Sequence, residues 1–162
     1  MIVKFSSIAD NARVWVYQID KELSRVEEDI LLSETSAFLG TWAAHGSGLK
    51  AAVRIVEHRL LLISADESFT NVSGCSIDSQ ITFLKEIQSR LKINLFNRGD
   101  IFYFEGDELK VMDLVDFRKG VSEGNISLDT FIFDTTIQRK SQVENELLIT
   151  VKDSWLMRLI KV

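Results

Sequence analysis

Three runs of apolar residues in the first half of the chain predict strands. Residues 13–18 are rich in β-branched and aromatic side chains, which favour a strand. Residues 51–57 alternate between apolar and polar positions, as in a strand with one buried face. Residues 60–65 are continuously apolar, which is typical of a strand covered on both faces. Because only a short break near His58 and Arg59 separates the last two strands, we expect an antiparallel hairpin.

Two segments have the 3.6-residue apolar period of amphipathic helices. The first follows a capping box formed by Ser24 and Glu27 and is predicted to end near Trp42. The positions on its predicted buried face are Val26, Ile30, Ala37, Phe38 and Thr41. The second is predicted to begin at Ile77, with Ser76 as its N-cap residue. The positions on its apolar face are Ile77, Ile81, Leu84, Ile87 and Leu91.

The second half of the chain predicts another hairpin and a short helix. Residues 100–104 and 108–112 flank Gly106 and Asp107, a dipeptide suited to a two-residue turn. Asp113 can then cap a helix that ends at or before Gly124 and whose apolar face comprises Leu114, Phe117 and Val121. The remaining predicted elements are a strand at 130–133, a weaker helix at 138–147 and a final turn or two at 153–160.

The order of these elements predicts an α+β fold. Through residue 104 it is strand, helix, strand, strand, helix, strand, which is the split βαβ order of ferredoxin-like domains. We therefore expect a four-stranded antiparallel sheet with two helices on one face. The C-terminal β-hairpin and helices would form an extension. A chain of 162 residues suits one domain, with residues 1–104 as its core and residues 105–162 packing on that core.

The composition limits the partners that we expect. A net charge of -5 argues against nucleic-acid binding and against binding to anionic membranes. No apolar run approaches the ~18 residues of a membrane span, and the N-terminus lacks the apolar core of a signal peptide. The single cysteine cannot form an internal disulfide, which indicates a reducing compartment. These features predict a soluble cytoplasmic protein that binds a small anion, a peptide or a protein, with a homodimer left open.

The start of the second helix carries the most suggestive chemistry. Unpaired N–H groups at a helix start favour anions, and a glycine there lets a ligand approach the backbone. The candidate ligand-binding residues at this point are Ser73, Gly74, Ser76 and Asp78. Beside them lies Cys75, whose thiolate a helix N-terminus would stabilise.

Two other stretches are predicted to converge on this helix start. One is the loop that contains Trp42 and Gly46, and the other is the C-terminal stretch with Asp153, Trp155 and Arg158. Together they would form a pocket with tryptophan walls, backbone N–H groups and one guanidinium, which suits a carboxylate or phosphate. The alternative is that the three stretches are separate structural caps. We favour a non-enzymatic binding or interaction module.

A cysteine-dependent enzyme is the alternative function. His45 could act as the base for Cys75 if their loops meet, whereas most free cysteines are small buried residues. His45, His58 and Cys75 are the available nitrogen and sulfur ligands, and none are paired at metal-ligand spacing. We therefore expect no metal and no cofactor.

One loop superficially resembles a phosphate-binding loop but does not match its pattern. It contains Gly46, Gly48 and Lys50. Such a loop needs a glycine, four residues and then Gly-Lys-Ser/Thr, between a strand and a helix. Here Leu49 separates Gly48 from Lys50, and Ala51 stands where the hydroxyl residue is required. We expect no ATP hydrolysis at this loop.

Four segments and one further residue together resemble a family of short bacterial proteins without an assigned activity. They are Trp42–Gly46, Gly74–Asp78, Phe96–Arg98, Lys152–Trp155 and Arg158. Members of that family are sometimes labelled ABC transporter ATPases. The resemblance spans nearly the whole chain and implies no activity, and the ATPase label does not suit a sequence that lacks a phosphate-binding loop.

Overall fold

The computed structural model describes residues 1–160 and confirms an α+β protein with antiparallel sheets. The chain divides into two compact units. The first contains Met1–Asn97 and Gln138–Ser141, and the second contains Arg98–Ile137 and the described residues from Gln142 onward. Both units therefore contain discontinuous stretches of sequence, and the boundary falls at 97/98 rather than at 104/105. That the chain folds as a single domain stays a prediction.

The first unit is built on a three-stranded antiparallel sheet with two long helices. Its elements are β1 (Arg13–Gln18), α1 (Arg25–Thr41), β2 (Ala43–Ala44), β3 (Ser47–Gly48), β4 (Lys50–Val56), β5 (Leu60–Asp66) and α2 (Gly74–Leu91). The strand order is β1-β5-β4. Every residue of the central strand β5 is buried, as its continuous apolar run predicts. The β4–β5 hairpin is confirmed, and its three-residue turn, 57–59, includes Glu57 and His58 with positive φ values of 52° and 56°.

The buried face of α1 differs from the predicted one. Leu31, Thr35 and Leu39 are completely buried, whereas Val26 is 68% exposed and Ile30 is 37% exposed. The observed stripe has a spacing of four residues, which keeps its members on one side of the helix. Turning this side inward removes the large apolar side chains of Leu31 and Leu39 from water. Of the predicted positions, Phe38 is half-buried against the same core, whereas Ala37 and Thr41 are exposed.

The second unit contains a four-stranded antiparallel sheet and one helix. Its elements are β6 (Asp100–Glu105), β7 (Glu108–Asp113), α3 (Leu114–Ser122), β8 (Phe131–Phe133) and β9 (Leu148–Thr150), in the sheet order β7-β6-β8-β9. The hairpin around Gly106 is confirmed, as is the cap of α3, where Asp113 Oδ1 accepts from the Asp116 amide at 2.9 Å. Phe117 and Val121 bring α3 into the core of this unit.

The prediction that the strand at 100–104 completes a ferredoxin-like sheet is wrong. This strand, β6, has β7 on one side and β8 on the other, so both of its edges are occupied within the second unit. The tight turn at Gly106 makes the β6–β7 pairing local, and a local pairing costs less chain entropy than a distant one. The first unit therefore retains three strands and two helices of the predicted core.

The predicted helix at 138–147 does not form either. The Val14 amide donates to the Gln138 carbonyl at 2.9 Å, and the Lys140 amide donates to the Ala12 carbonyl at 2.9 Å. The first bond uses the Gln138 carbonyl, which a helix beginning there would need as an acceptor for its own backbone. Only the 3-10 turn Lys140–Gln142 forms there, followed by β9.

Candidate functional site

The start of α2 lies one turn earlier than predicted, and two serines there form hydrogen bonds with each other. Ser73, not Ser76, is the N-cap residue. Ser73 Oγ accepts from the Ser76 amide at 3.1 Å, and Ser76 Oγ accepts from the Ser73 amide at 2.7 Å. Ser76 is only 2% exposed. Both predicted ligand-binding serines are therefore engaged in a capping box.

The side chain of Trp42 is buried and contacts the start of α2. It is 2% exposed, and its indole Nε1 donates to the Ser76 carbonyl at 2.8 Å. Its ring lies edge-on to Trp15, with the centroids 5.9 Å apart. Trp42 and the α2 start are thus in contact, although a buried tryptophan cannot act as an open pocket wall.

His45 and Gly46 form the two-residue turn between β2 and β3. Both have positive φ values, 51° and 80°, which match the hairpin turn that favours glycine at its second position. The predicted loop is thus a small hairpin, and it leads into β4 rather than into a helix. This geometry does not provide the strand-to-helix turn of a phosphate-binding loop.

The groups that remain accessible at the α2 start are Gly74, Cys75 and Asp78. All three are exposed, and no acceptor is described for the amides of Gly74 and Cys75. His45 is exposed as well, and β2 packs against α2. The anion pocket and the catalytic pair stay predictions. No group of three His, Cys, Asp or Glu residues within residues 1–160 is arranged to hold a metal ion.

The C-terminal candidates belong to the second unit. Asp153 Oδ2 accepts from Thr150 Oγ1 at 2.9 Å, and Trp155 is half-buried against the core of that unit. Arg158 is exposed at the end of the 3-10 turn Trp155–Arg158, which Ser154 caps. These contacts are those of a capped terminal turn. Convergence of this stretch on the α2 start stays a prediction.

The sequence analysis missed a cleft of about 670 Å³ in the second unit, here called the α3 cleft. It lies along α3, beside the end of β6 and the loop that follows α3. Its less exposed apolar or aromatic lining residues are Tyr103, Phe104, Met112 and Ile126, and its exposed charged residues are Glu105, Asp116, Lys119 and Glu123. Polar residues outnumber apolar ones in this lining, but a concave surface of this size is still a candidate for a small-molecule site.

Two carboxylates at the start of α3 influence one another. The pKa of Asp113 is lowered, because its carboxylate accepts from the Asp116 backbone amide. The pKa of Asp116 is raised, first because its side chain hydrogen-bonds to Asp113 and second because the Asp113 charge repels its own. Asp116 lines the α3 cleft. A perturbed carboxylate in a cleft is a recognised indicator of a functional site.

The sequence contained one signal for the α3 cleft. Gly120 lies inside α3, where glycine is unfavourable, and a Cβ atom at this position would lie 2.7 Å from Ile126 Cδ1. The close packing of Ile126 on Gly120 fixes the loop that forms one wall. A glycine within a predicted helix can be recognised from the sequence, but its packing partner cannot.

Within residues 1–160, no helix is both long and apolar enough to cross a membrane. No family model matches the chain, and no curated protein or solved structure is significantly similar to it.

Proposed function

We propose that the protein is a non-enzymatic binding protein whose α3 cleft receives a small organic ligand. The observation that carries this proposal is the size and lining of the cleft. Its volume of about 670 Å³ lies within the range of ligand sites, roughly 300–1,000 Å³. The half-buried side chains of Met112 and Ile126 provide apolar contacts for a ligand, and the exposed polar groups around them can orient it.

Three probes with the same phenyl ring test this proposal: 2-phenylethylamine, 2-phenylethanol and phenylacetate. At ~0.3 kcal/mol per heavy atom, a ligand of about nine heavy atoms binds with a Kd of ~10 mM. Such binding is measurable by titration of ¹⁵N-labelled protein. We expect at least one probe to shift the amide resonances of Ile126 and Gly120 in a saturable manner.

A blocking variant supplies the control. Asn125 is exposed and lines the cleft, so Asn125→Trp should fill it and abolish the shifts. The same substitution at the exposed Asn71 in the first unit should leave them unchanged. If none of the probes shifts these resonances at about 10 mM, the proposal is wrong.

A cysteine-dependent enzyme is the second candidate, and it is supported by the exposure of Cys75 at the start of α2. Alkylation by iodoacetamide measures the reactivity of this thiol without requiring a known substrate. A catalytic pair predicts that His45→Ala slows alkylation of Cys75 at pH 7, because the imidazole assists formation of the thiolate. An unchanged rate would exclude this candidate.

A further inference from the structure

The N-terminal segment of the chain covers only the first part of the outer edge of β4. This strand lies at one side of the sheet of the first unit, whose order is β1-β5-β4. The Val3 amide donates to the Ala51 carbonyl at 2.9 Å, and the Ala51 amide donates to the Met1 carbonyl at 2.9 Å. Ile2 and Ala51 thus form a parallel bridge. The edge of β4 therefore already binds one extended segment of backbone.

Beyond Ala51 this edge is open. In an antiparallel pair, the backbone groups of successive residues point alternately toward and away from the partner strand. Since Ala51 bonds on the side away from β5, the amides and carbonyls of Val53 and Ile55 point the same way. Within residues 1–160, no partner is described for these four groups. Residues 53–56 are here called the open edge.

The open edge lacks the features by which sheet edges usually prevent strand addition. Proline, bulges and projecting charges are the common ones. Residues 53–56 contain no proline, and their register with β5 is uninterrupted. Their single charged side chain, that of Arg54, lies over the ring of Phe5 with the guanidinium carbon 4.6 Å from the centroid. This contact holds the charge on one face of the sheet, so the backbone groups at the edge stay available.

The helix α1 packs over β4 and overhangs the open edge. The other helix, α2, lies on the β1 side of the sheet, where Gln80 Nε2 donates to the Tyr17 hydroxyl at 2.6 Å. One flank of α1 contacts α2 through Glu34 and Phe38. The opposite flank includes the half-buried Leu32, which the helical period places toward the open edge. A strand added at this edge would find an apolar contact above it.

A second copy of β4 does not fit the open edge. Antiparallel pairing of two identical edges has a two-fold axis perpendicular to the sheet, so both copies of α1 would lie on the same face. Paired strands are about 4.8 Å apart, whereas packed helices need about 8–10 Å between their axes. Because α1 packs over β4, the two copies of α1 would overlap. An extended peptide with no helix above it avoids this conflict.

We propose that the open edge of β4 binds an extended peptide segment of a partner protein, which adds a fourth strand to this sheet. The backbone of the segment pairs with the amides and carbonyls of Val53 and Ile55, and one of its apolar side chains contacts Leu32. Backbone hydrogen bonds supply the affinity of such strand addition, and alternate side chains supply its specificity. The open edge belongs to the first unit, so this proposal does not depend on the α3 cleft.

A preorganised strand tests the proposal. The probe is a cyclic hairpin peptide with two D-Pro-Gly turns and Thr-Val-Thr-Val-Thr as one strand, because cyclisation reduces the cost of ordering the peptide. Titration of ¹⁵N-labelled protein should shift the amide resonances of Val53 and Ile55 in a saturable manner. A control peptide with N-methyl groups on the outward amides of that strand should shift neither resonance. Absence of saturable shifts at about 10 mM, or equal shifts with both peptides, would overturn the proposal.

Two proline variants assign the binding to this edge. Proline is tolerated where an edge amide points away from the sheet, so Ile55→Pro should retain the fold and weaken peptide binding about tenfold. Val16→Pro makes the same change on β1, whose outer edge bonds at the Val14 amide, and should not change the affinity. Folding of each variant is checked from the dispersion of its amide resonances. Equal affinities of wild type and a folded Ile55→Pro would contradict the proposal.

The oligomeric state of the peptide-free protein tests the competing occupant. We expect a monomer in sedimentation equilibrium, for wild type and for Ile55→Pro alike. A wild-type dimer that Ile55→Pro dissociates would assign the open edge to a second copy of the chain and overturn the proposal.

Discussion

Trp42 joins the end of α1 to the start of α2 through one side chain. It is the C-cap residue of α1, and its indole N–H donates to a carbonyl in the first turn of α2. Around it, Trp15 and Phe38 have ring centroids within 5.9 Å and 6.0 Å of its own. Such a position combines a large buried apolar area with a satisfied polar group, which is the arrangement expected for a buried tryptophan.

Replacement of Trp42 by phenylalanine should therefore destabilise the protein. The variant loses the hydrogen bond to the Ser76 carbonyl and leaves unfilled volume, at a cost of about 1–3 kcal/mol. Urea unfolding followed by circular dichroism measures this free energy. Trp155→Phe is the matched control, since Trp155 is half-buried and has no described hydrogen bond from its indole. An equal loss in both variants would contradict the role given to Trp42.

The surface contact between His58 and Glu28 contributes stability that depends on pH. Its Nδ1 contacts Glu28 Oε2, and this hydrogen bond, together with the carboxylate charge, raises the pKa of His58. Because the folded-state pKa is above the unfolded value, the interaction contributes stability below the unfolded pKa. That contribution is lost as the pH rises through the folded pKa.

The expected result is that Glu28→Gln lowers the pKa of His58 toward its ordinary value. An NMR titration of the imidazole C–H resonances measures this directly. Glu34→Gln is the control, because Glu34 also lies on α1 but pairs with Arg90. A His58 pKa that is unaffected by Glu28→Gln would mean that the contact does not persist in solution.

At the scale of elements, two helical glycines have opposite surroundings. A Cβ atom added at Gly40 in α1 would meet no heavy atom within 4 Å, whereas one added at Gly120 in α3 would lie 2.7 Å from Ile126. Glycine in a helix interior costs roughly 0.5–1 kcal/mol relative to alanine. The packing of α3 explains Gly120, and nothing in the structure explains Gly40.

Gly40→Ala should accordingly raise the free energy of unfolding by about 0.5–1 kcal/mol. Gly120→Ala also reduces the backbone entropy lost on folding, but the new methyl group must displace the Ile126 side chain. Its net effect on the free energy of unfolding should therefore be less favourable. Urea unfolding of both variants provides the comparison. Equal stabilisation would show that Ile126 moves aside without cost and that Gly120 does not fix the wall of the α3 cleft.

At the scale of the whole molecule, strand pairings between neighbouring segments could be predicted from the sequence, whereas pairings between distant segments could not. The hairpins at β4–β5 and β6–β7 follow from alternation and turn residues that are close in sequence. The pairing of Tyr103 with Ile132 has no such signal, because many alternative partners satisfy the same pattern. The α3 cleft escaped prediction for a related reason, since its lining comes from segments that only the fold of the second unit brings together.

The segment Gln138–Ser141 is the clearest case of a non-local pairing, because it returns the chain to the first unit. In addition to the bonds at Val14 and Ala12, the Ser141 amide donates to the Asp10 carbonyl at 2.8 Å. Lys140 Nζ also lies 2.9 Å from Asp10 Oδ1. The segment thus lies along the edge of β1 that is not paired with β5.

A fragment of residues 1–97 should consequently be less stable than the first unit of the full chain. It loses three backbone hydrogen bonds at about 1 kcal/mol each, so we expect a loss of ~2–4 kcal/mol. Hydrogen exchange of the β5 amides compares the same residues in both proteins. A synthetic peptide of residues 136–143 added in trans should slow the exchange, and a peptide of scrambled order should not. If the β5 amides of the fragment exchange as slowly as those of the full chain, the segment contributes no stability to the first unit.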